Sequence, residues 1–391
     1  METKYSTNRR KASLRKTTGA NKGVEEEMTD KNLSITKFQL FFIMLQSQIG
    51  VGLLSLPNVV QKTAKGDGWI SPLFAGVAVQ VMLVIYWQLL KRFPNLIYTE
   101  ITQKILGRFL GKLINLVIYM NFILVGGLVT ILFIKIINLW LLPLTPNWII
   151  SILILTACIY LAVSDLRIIA RFFVLATSLI LLLMFTSLLS WFTPKEFQYI
   201  LPIGSSGIKN ILLGTNNSLL AMLGFEGLLF TFPFIIDNKK GVLKTVSISN
   251  IFIVIFYTYF IFLSLISFST DQLAQMREPI LNLLRGITYK MVDRVDLIFL
   301  SIWIVPMVTS IIAYLFFASK SMNVKKKNYP RVVLMNGFII FLITLIPHND
   351  ATTTLFNKYV TYLSYAVVFI IPTLLLILSF LFKKQESSES A

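Results

Sequence analysis

Ten apolar stretches, each close to the length of a membrane-spanning helix, dominate the sequence after residue 37. A helix of roughly 20 apolar residues crosses the hydrocarbon layer of a bilayer, and it satisfies its own backbone hydrogen bonds there. Only 14% of the residues are charged, too few to cover a soluble core of this size. The sequence therefore predicts an all-α membrane protein with ten transmembrane helices. The stretches are residues 38–61, 70–90, 113–140, 148–164, 170–192, 211–236, 246–269, 296–319, 331–347 and 357–382.

The basic residues are distributed unevenly between the two sides of the membrane. With ten spans both termini lie on one side, and 26 of the 36 Lys and Arg residues fall in the tails and loops of that side. The opposite loops contain 9, and Lys135 lies within a span. By the positive-inside rule both termini are expected to be cytoplasmic. The net charge of +18 thus indicates topology and attraction to anionic lipid headgroups, and we expect no nucleic acid partner.

The spans define the expected domain organisation. Residues 1–36 contain no apolar run and are expected to form a disordered cytoplasmic tail. Residues 37–382 would form the ten-helix transmembrane domain, with a first repeat at 37–192 and a second at 211–382. Residues 383–391 would form a short cytoplasmic tail.

The residue types needed for catalysis or metal binding are scarce. The chain has one cysteine, Cys158, and one histidine, His348. A single cysteine allows no disulfide and no thiolate metal site within one chain. We therefore expect no enzyme activity, no cofactor and no metal.

Two spans contain helix-breaking residues at matching positions. The first span includes QSQIGVGLLSLP and the sixth includes AMLGFEGLLFTFP. Glycine adopts unwound backbone conformations, and proline removes a hydrogen-bond donor and clashes with the preceding turn. Each feature alone is common at kinks, but the paired occurrence five helices apart favours two broken helices. The residues are Gly50, Gly52 and Pro57 in the first span, and Gly224, Gly227 and Pro233 in the sixth.

An offset of five helices implies that the second half enters the membrane from the opposite side. This is the inverted 5+5 repeat of LeuT-type transporters, in which broken helices 1 and 6 form a binding site at the midplane. Free N–H groups at a half-helix N-terminus favour a carboxylate, and free carbonyl groups favour an amine. A zwitterionic amino acid is thus a natural ligand, and simple kinks without a ligand are the alternative.

Glu226 is the only acidic residue well inside a span, and it lies between Gly224 and Gly227. A charge at mid-bilayer costs about 2.5–3.5 kcal/mol on insertion scales, so such a residue usually faces a cavity or a partner. Three roles remain open. Glu226 could bind a ligand amine, take up a proton, or accept hydrogen bonds from unwound N–H groups of the neighbouring broken helix.

Four blocks of sequence resemble one known family over nearly all of residues 34–382. They are ITKFQLFFIMLQSQIGVGLLSLP, GDGWISPLFAGVAVQ, LGFEGLLFTFPF and MVDRVDLIFLSIWIVP, and they are similar to the B subunits of endospore germinant receptors. The resemblance implies a LeuT-like fold of the amino acid–polyamine–organocation group and residence in the spore inner membrane. It also implies assembly with an ion-conducting A subunit and a lipoprotein C subunit.

In that family the B subunit recognises a small nutrient germinant, commonly an amino acid and sometimes a sugar or a nucleoside, and binding triggers ion release and germination. Carried over by position, the resemblance implies a pocket built from helices 1, 3, 6 and 8. Thr309 could take the place of Ser310 in it. The implied residues are Gly50, Gly52, Tyr119, Gly224, Phe225, Glu226, Gly227, Ser310 and Tyr314.

A secondary amino acid transporter is the alternative function. Thr309 and Ser310 resemble the hydroxyl ligands of a sodium site in related transporters, which favours ion coupling. The fifth span, between Ala170 and Trp191, contains no lysine or carboxylate to replace such an ion, so we expect no strong ion-driven transport. A scaffold without a ligand would leave Glu226 and the paired breaks unexplained.

Overall fold

The computed structural model describes residues 34–236, 239–286, 294–346 and 349–386. These residues are almost entirely helical, with one isolated parallel bridge between Ile35 and Ile235. Most of the expected N-terminal tail, the end of the C-terminal tail and His348 lie outside the described residues, so both tails stay predictions.

Seven α-helices lie in the described part of the first half of the chain. The first helix begins after Thr36, whose hydroxyl accepts a hydrogen bond from the Gln39 N–H while the Gln39 side chain accepts from the Thr36 N–H. This reciprocal cap satisfies two N–H groups that helix geometry leaves unpaired. The helices are α1 (Lys37–Gln48), α2 (Gly52–Ala64), α3 (Ser71–Arg92), α4 (Tyr98–Leu106), α5 (Arg108–Trp140), α6 (Asn147–Ala162) and α7 (Leu166–Leu188).

The second half repeats this pattern with additional short helices on one side. A 3₁₀ turn at Phe225–Gly227 separates α8 from α9, and a π-helical segment at Tyr365–Ile370 separates α15 from α16. The helices are α8 (Gly207–Ala221), α9 (Leu228–Thr231), α10 (Val242–Ser267), α11 (Thr270–Gln275), α12 (Pro279–Arg285), α13 (Val295–Ser321), α14 (Tyr329–Thr344), α15 (Asp350–Ser364) and α16 (Ile371–Leu381).

These helices group into the ten apolar segments expected from the sequence. Among the described residues, six continuous stretches are long and apolar enough to cross a membrane, and the pair Gly207–Ala221 and Phe225–Phe234, bent by 48°, gives a seventh. One continuous stretch, Gly52–Arg92, includes both α2 and α3. The first segment consists of α1 and α2, the sixth of α8 and α9, and the tenth of α15 and α16.

The two interrupted segments lie at the centre of the bundle. Helix α1 packs against α7, α10 and α13, and α2 packs against α8. A connection outside the bundle links the two halves: the Asp67 carboxylate, which follows α2, accepts hydrogen bonds from the N–H groups of Gly204 (2.7 Å) and Ser206 (2.9 Å) before α8. The fold thus places both interruptions next to each other in the interior.

Candidate ligand site

The break in the first segment spans three residues between the end of α1 at Gln48 and the start of α2 at Gly52. Ile49 is extended, with φ −90° and ψ 105°. No side chain caps the start of α2. The N–H groups of Val51 and Gly52 therefore lie at the break without a side-chain acceptor. An uncapped helix N-terminus favours negative charge.

The break in the sixth segment centres on Gly224. Its φ of +120° lies in a region that residues other than glycine rarely adopt. A Cβ atom on Gly224 would lie 2.2 Å from the carbonyl oxygen of Ser47. Glycine is therefore needed both for the backbone conformation and for the close approach. The Ser47 hydroxyl donates to the Gly224 carbonyl at 3.0 Å. The two breaks are thus in direct backbone contact.

Tyr257 of α10 links the helix ends that the two breaks leave open. Its hydroxyl lies 2.9 Å from the carbonyl oxygen of Gln48 and 3.0 Å from that of Ala221. These are carbonyls at the ends of α1 and α8, where intrahelical donors run out. Tyr257 could not be identified from the sequence, because nothing in an apolar helix distinguishes this tyrosine from one that only packs.

Glu226 is buried, with 2% of its surface exposed, and its carboxylate accepts a hydrogen bond from the Gly224 N–H at 2.8 Å. The hydroxyl of Tyr314 lies beside the same carboxylate. The carboxylate thus accepts a hydrogen bond from an unwound N–H group, as in the third of the three roles considered above. That N–H group belongs to the same broken segment as Glu226, whereas we expected it on the neighbouring broken helix.

A cavity of about 230 Å³ opens beside the breaks. Of the predicted site residues, Gly50, Gly52, Ser310 and Tyr314 line it, and none of its described lining residues is charged. Gln48 also lines it, and the Gln48 Oε1 atom is buried without a hydrogen-bond partner among the described residues. The remaining lining residues are Ser47, Val51, Ser55, Leu56, Val59, Val125, Leu128, Val129, Leu132, Asn217, Leu220, Ala221, Leu223, Asn357, Val360, Thr361 and Ser364.

The glycines of the first break differ in their surroundings. A Cβ atom on Gly52 would lie 2.6 Å from the Cβ of Ala221, so Gly52 allows α2 and α8 to approach closely. A Cβ atom on Gly50 would lie 3.2 Å from the Ser310 hydroxyl oxygen, which is a tighter contact than usual but not a backbone clash. Gly52 therefore has a packing role in addition to its place on the cavity wall.

The other predicted site residues lie outside the cavity lining. The Tyr119 hydroxyl donates to the Asn336 side chain at 2.9 Å. The ring of Phe225 packs against Tyr86, with 5.7 Å between the ring centroids, and a Cβ on Gly227 would lie 2.5 Å from the ring of Phe317. Their part in ligand binding stays a prediction.

Thr309 belongs to a buried polar cluster on the far side of the first break. Its hydroxyl donates to Gln46 Oε1 at 2.6 Å, and Gln46 Nε2 donates to the Thr177 hydroxyl at 3.0 Å. One amide thus joins α1, α7 and α13, and Thr309, whose hydroxyl resembles a sodium ligand of related transporters, donates its proton to that amide.

The chain is similar to known proteins over most of its length. The profile of a family described as spore germination protein matches residues 34–353. Spore germination protein GerQB of Bacillus cereus is 26% identical over 350 residues, which cover 88% of this chain and 95% of that protein. Spore germination protein YndE of Bacillus subtilis is 25% identical over 349 residues, covering 88% of this chain and 96% of that protein.

Solved structures with the same fold are transporters. MhsT in complex with L-phenylalanine matches with a TM-score of 0.61 at 12% identity, covering 90% of both chains. A substrate-bound Na⁺-coupled sialic acid symporter matches with a TM-score of 0.60 at 13% identity, covering 87% of this chain and 80% of that one. At this identity the likeness establishes the fold alone, and it confirms the predicted LeuT-like arrangement of helices.

The relatives and structural neighbours are germination and transport proteins, and their shared architecture is a multi-pass helical membrane protein. A germinant-sensing or permease-like protein is the class of function that they support. Because the match covers most of its length, the chain belongs to the spore germination protein family.

Proposed function

We propose that this protein is the nutrient-sensing subunit of a spore germinant receptor. In this proposal a small molecule, first of all an amino acid, binds in the cavity at the two helix breaks. Binding stabilises one conformation of the bundle over another, and this shift triggers ion release and germination through A and C partner subunits. A ligand needs only to bind one of the two conformations more tightly to shift their populations.

The observation that supports this most is the chemistry of the cavity wall. The wall has no charged side chain among its described residues, yet it includes the uncapped start of α2 and Gln48, whose Oε1 atom is buried without a hydrogen-bond partner among the described residues. An unpaired acceptor suits an amine, and an uncapped helix N-terminus suits a carboxylate. Aliphatic residues such as Leu128 and Leu132 complete the wall and suit an apolar side chain.

The proposed orientation follows the charge distribution. The residues of α2, α8 and α15 that line the cavity lie in the halves of their segments nearest the loops with few basic residues. With both termini on the cytoplasmic side of the spore inner membrane, the cavity would receive its ligand from the opposite side. We propose this location and topology together with the sensing role.

A permease is the second candidate, and the transporter fold favours it. Against transport driven by a substitute for a sodium ion, the described part of α7 between Ala170 and Leu188 contains no carboxylate or lysine. The fold alone does not decide between the two, because function depends on the site.

Calorimetric binding of amino acids, sugars and nucleosides to the purified protein tests the site. Binding of at least one of them, weakened by Ser310→Leu, is the expected result. Ser310→Leu places a larger apolar side chain against Gly50 and into the cavity. The absence of binding by every compound, or equal affinity in the variant, would contradict the proposal.

Flux through reconstituted vesicles separates the two functions. A sensor is expected to bind the labelled ligand without accumulating it. Saturable accumulation of the label would instead establish the permease.

A further inference from the structure

A second cavity, of about 300 Å³, lies at the end of the bundle where α6 and α13 end. It is separate from the ligand cavity, with which it shares no lining residue. Its wall includes Glu100, Asp165, Lys320 and Lys326, and it reaches the end of the sixth segment at Phe234. Four charged side chains at one cavity contrast with the uncharged wall at the breaks.

Three of these four charges already have partners. The Glu100 carboxylate accepts hydrogen bonds from the Ile97 N–H at 3.1 Å and from the Asn323 amide at 3.3 Å. Asp165 pairs with Lys326 at 3.5 Å. The acidic groups of the cavity therefore have hydrogen-bond or ion-pair partners within the protein. The remaining cation is close enough to Asp165 to interact with its charge but forms no ion pair with it.

That cation is Lys320, in the last turn of α13. Its ammonium group lies over three aromatic rings, at 5.2 Å from the Phe234 centroid, 5.6 Å from that of Phe316 and 4.9 Å from that of Tyr329. Within the described residues no carboxylate lies within the 4.0 Å of an ion pair with it. Ring faces and the partial negative charge of the helix C-terminus compensate part of a buried positive charge, but among the described residues the Lys320 ammonium has these ring contacts and no hydrogen bond to an oxygen atom.

We propose that this second cavity binds a small oxyanion, with carboxylate or phosphate oxygens, through the Lys320 ammonium. The ring faces cover part of the ammonium and the cavity adjoins it, so an anion would form charge-assisted hydrogen bonds from the cavity side. The same chemistry is offered by a dissolved anion and by the phosphate of an anionic lipid headgroup. Because Lys320 contacts rings on the sixth segment and on α14, an anion there would connect three helix ends.

The experiment is a thermal unfolding titration of the full-length protein in nanodiscs of phosphatidylcholine. Inorganic phosphate is compared with chloride at equal ionic strength. The expected result is a saturable rise of the unfolding midpoint by about 2 °C or more with phosphate. Lys320→Gln is expected to abolish the rise, whereas Lys325→Gln, on a neighbouring basic residue outside the cavity wall, is expected to retain it.

A second arm distinguishes the two sources of the anion. This arm uses nanodiscs with phosphatidylglycerol and no added phosphate. If the lipid headgroup is the ligand, phosphatidylglycerol is expected to raise the unfolding midpoint of the wild type but not that of Lys320→Gln. Should Lys320→Gln not fold, Ser164→Phe, which places a ring in the cavity and leaves Lys320 intact, is expected to abolish the same rise. A wild type that responds to neither phosphate nor phosphatidylglycerol, or Lys320→Gln and Ser164→Phe variants that respond as the wild type does, would overturn the proposal.

Discussion

Gly224 lies against the backbone of Ser47 so closely that a Cβ atom on it would be 2.2 Å from the Ser47 carbonyl oxygen. The hydroxyl of Ser47 donates back to the carbonyl of Gly224 at 3.0 Å. The two broken segments therefore approach each other at backbone distance, and the Ser47 hydroxyl forms a hydrogen bond between them. Any change that separates them must also change the shape of the cavity beside them.

Gly224→Ala is expected to be strongly destabilising. The added methyl group would overlap with backbone atoms of Ser47 and Gln48. The positive φ adds strain of about 1–3 kcal/mol. The measurement is the thermal unfolding midpoint and the yield of folded protein in detergent. Gly286→Ala is the matched control, because its Cβ would meet only ordinary contacts, the nearest at 3.5 Å. Equal stability of both variants would contradict the close packing of the breaks.

Tyr257→Phe is expected to loosen the contact between the two helix ends. The change removes the one hydroxyl that lies within hydrogen-bond distance of both the Gln48 and the Ala221 carbonyls. Leaving a buried acceptor unpaired costs about 1–3 kcal/mol. Unfolding midpoints and ligand affinity should both fall. The control is Tyr160→Phe, at a position 85% exposed, which should change neither the unfolding midpoint nor the ligand affinity. If Tyr257→Phe also changes neither quantity, the two carbonyls need no donor.

Gln48→Met is expected to weaken ligand binding with little change in stability. Gln48 lines the cavity, and methionine fills a similar volume but lacks the buried Oε1 acceptor that has no hydrogen-bond partner among the described residues. One lost hydrogen bond of about 1 kcal/mol corresponds to roughly a five- to tenfold higher Kd. Calorimetry with the best ligand measures it, and Gln198→Met at an exposed position is the control. An unchanged Kd would place the ligand away from Gln48.

The sequence predicted the helix breaks well because their cause is local. Gly50 and Gly224 lie at the breaks, where glycine tolerates an unwound backbone. Pro57, in contrast, lies inside α2, and Pro233 follows α9. The ten apolar runs likewise reflect bilayer thickness, which acts on each helix separately. The fold class could therefore be predicted before any contact was known.

The partners of individual side chains could not be predicted in this way. Tyr119 and Ser310 both have hydroxyls at membrane depth, yet Tyr119 donates to Asn336 while Ser310 lines the cavity. The difference depends on the rotation of each helix about its axis, which packing sets. Gln46 and Thr177 are 131 positions apart and meet only because α1 packs on α7.

The stability of the wild type is expected to depend on pH through Glu278, which precedes α12 outside the membrane-spanning segments. Burial raises the pKa of this carboxyl above its ordinary value of 4.5, and Trp140 and Arg277 oppose this effect. A raised pKa in the folded state means that its stabilising contribution is complete below pH 4.5 and is lost as the pH rises through the folded pKa.

Glu278→Gln removes this titration. As the pH rises from about 4.5, the unfolding midpoint of the wild type should fall relative to that of the variant, because only the wild type loses the contribution of Glu278. Thermal unfolding at a series of pH values in constant salt measures it. Glu196→Gln, a carboxyl in another loop on the same predicted side, is the control. A constant difference across the series would show that Glu278 titrates equally in the folded and unfolded states.

Glu226→Gln tests whether the buried carboxylate acts through its charge or through its oxygen. The Gly224 N–H needs one acceptor at 2.8 Å, and the amide oxygen of glutamine supplies it. If capping is the whole role, the change should be mild, with ligand Kd within roughly threefold of the wild type and stability within about 1 kcal/mol. Glu226→Ala should then be much worse, because it leaves the Gly224 N–H without an acceptor and opens a void beside Tyr314. If Glu226→Gln instead abolishes ligand binding in protein that folds normally, the negative charge itself is required, and the ligand amine or a proton becomes its partner.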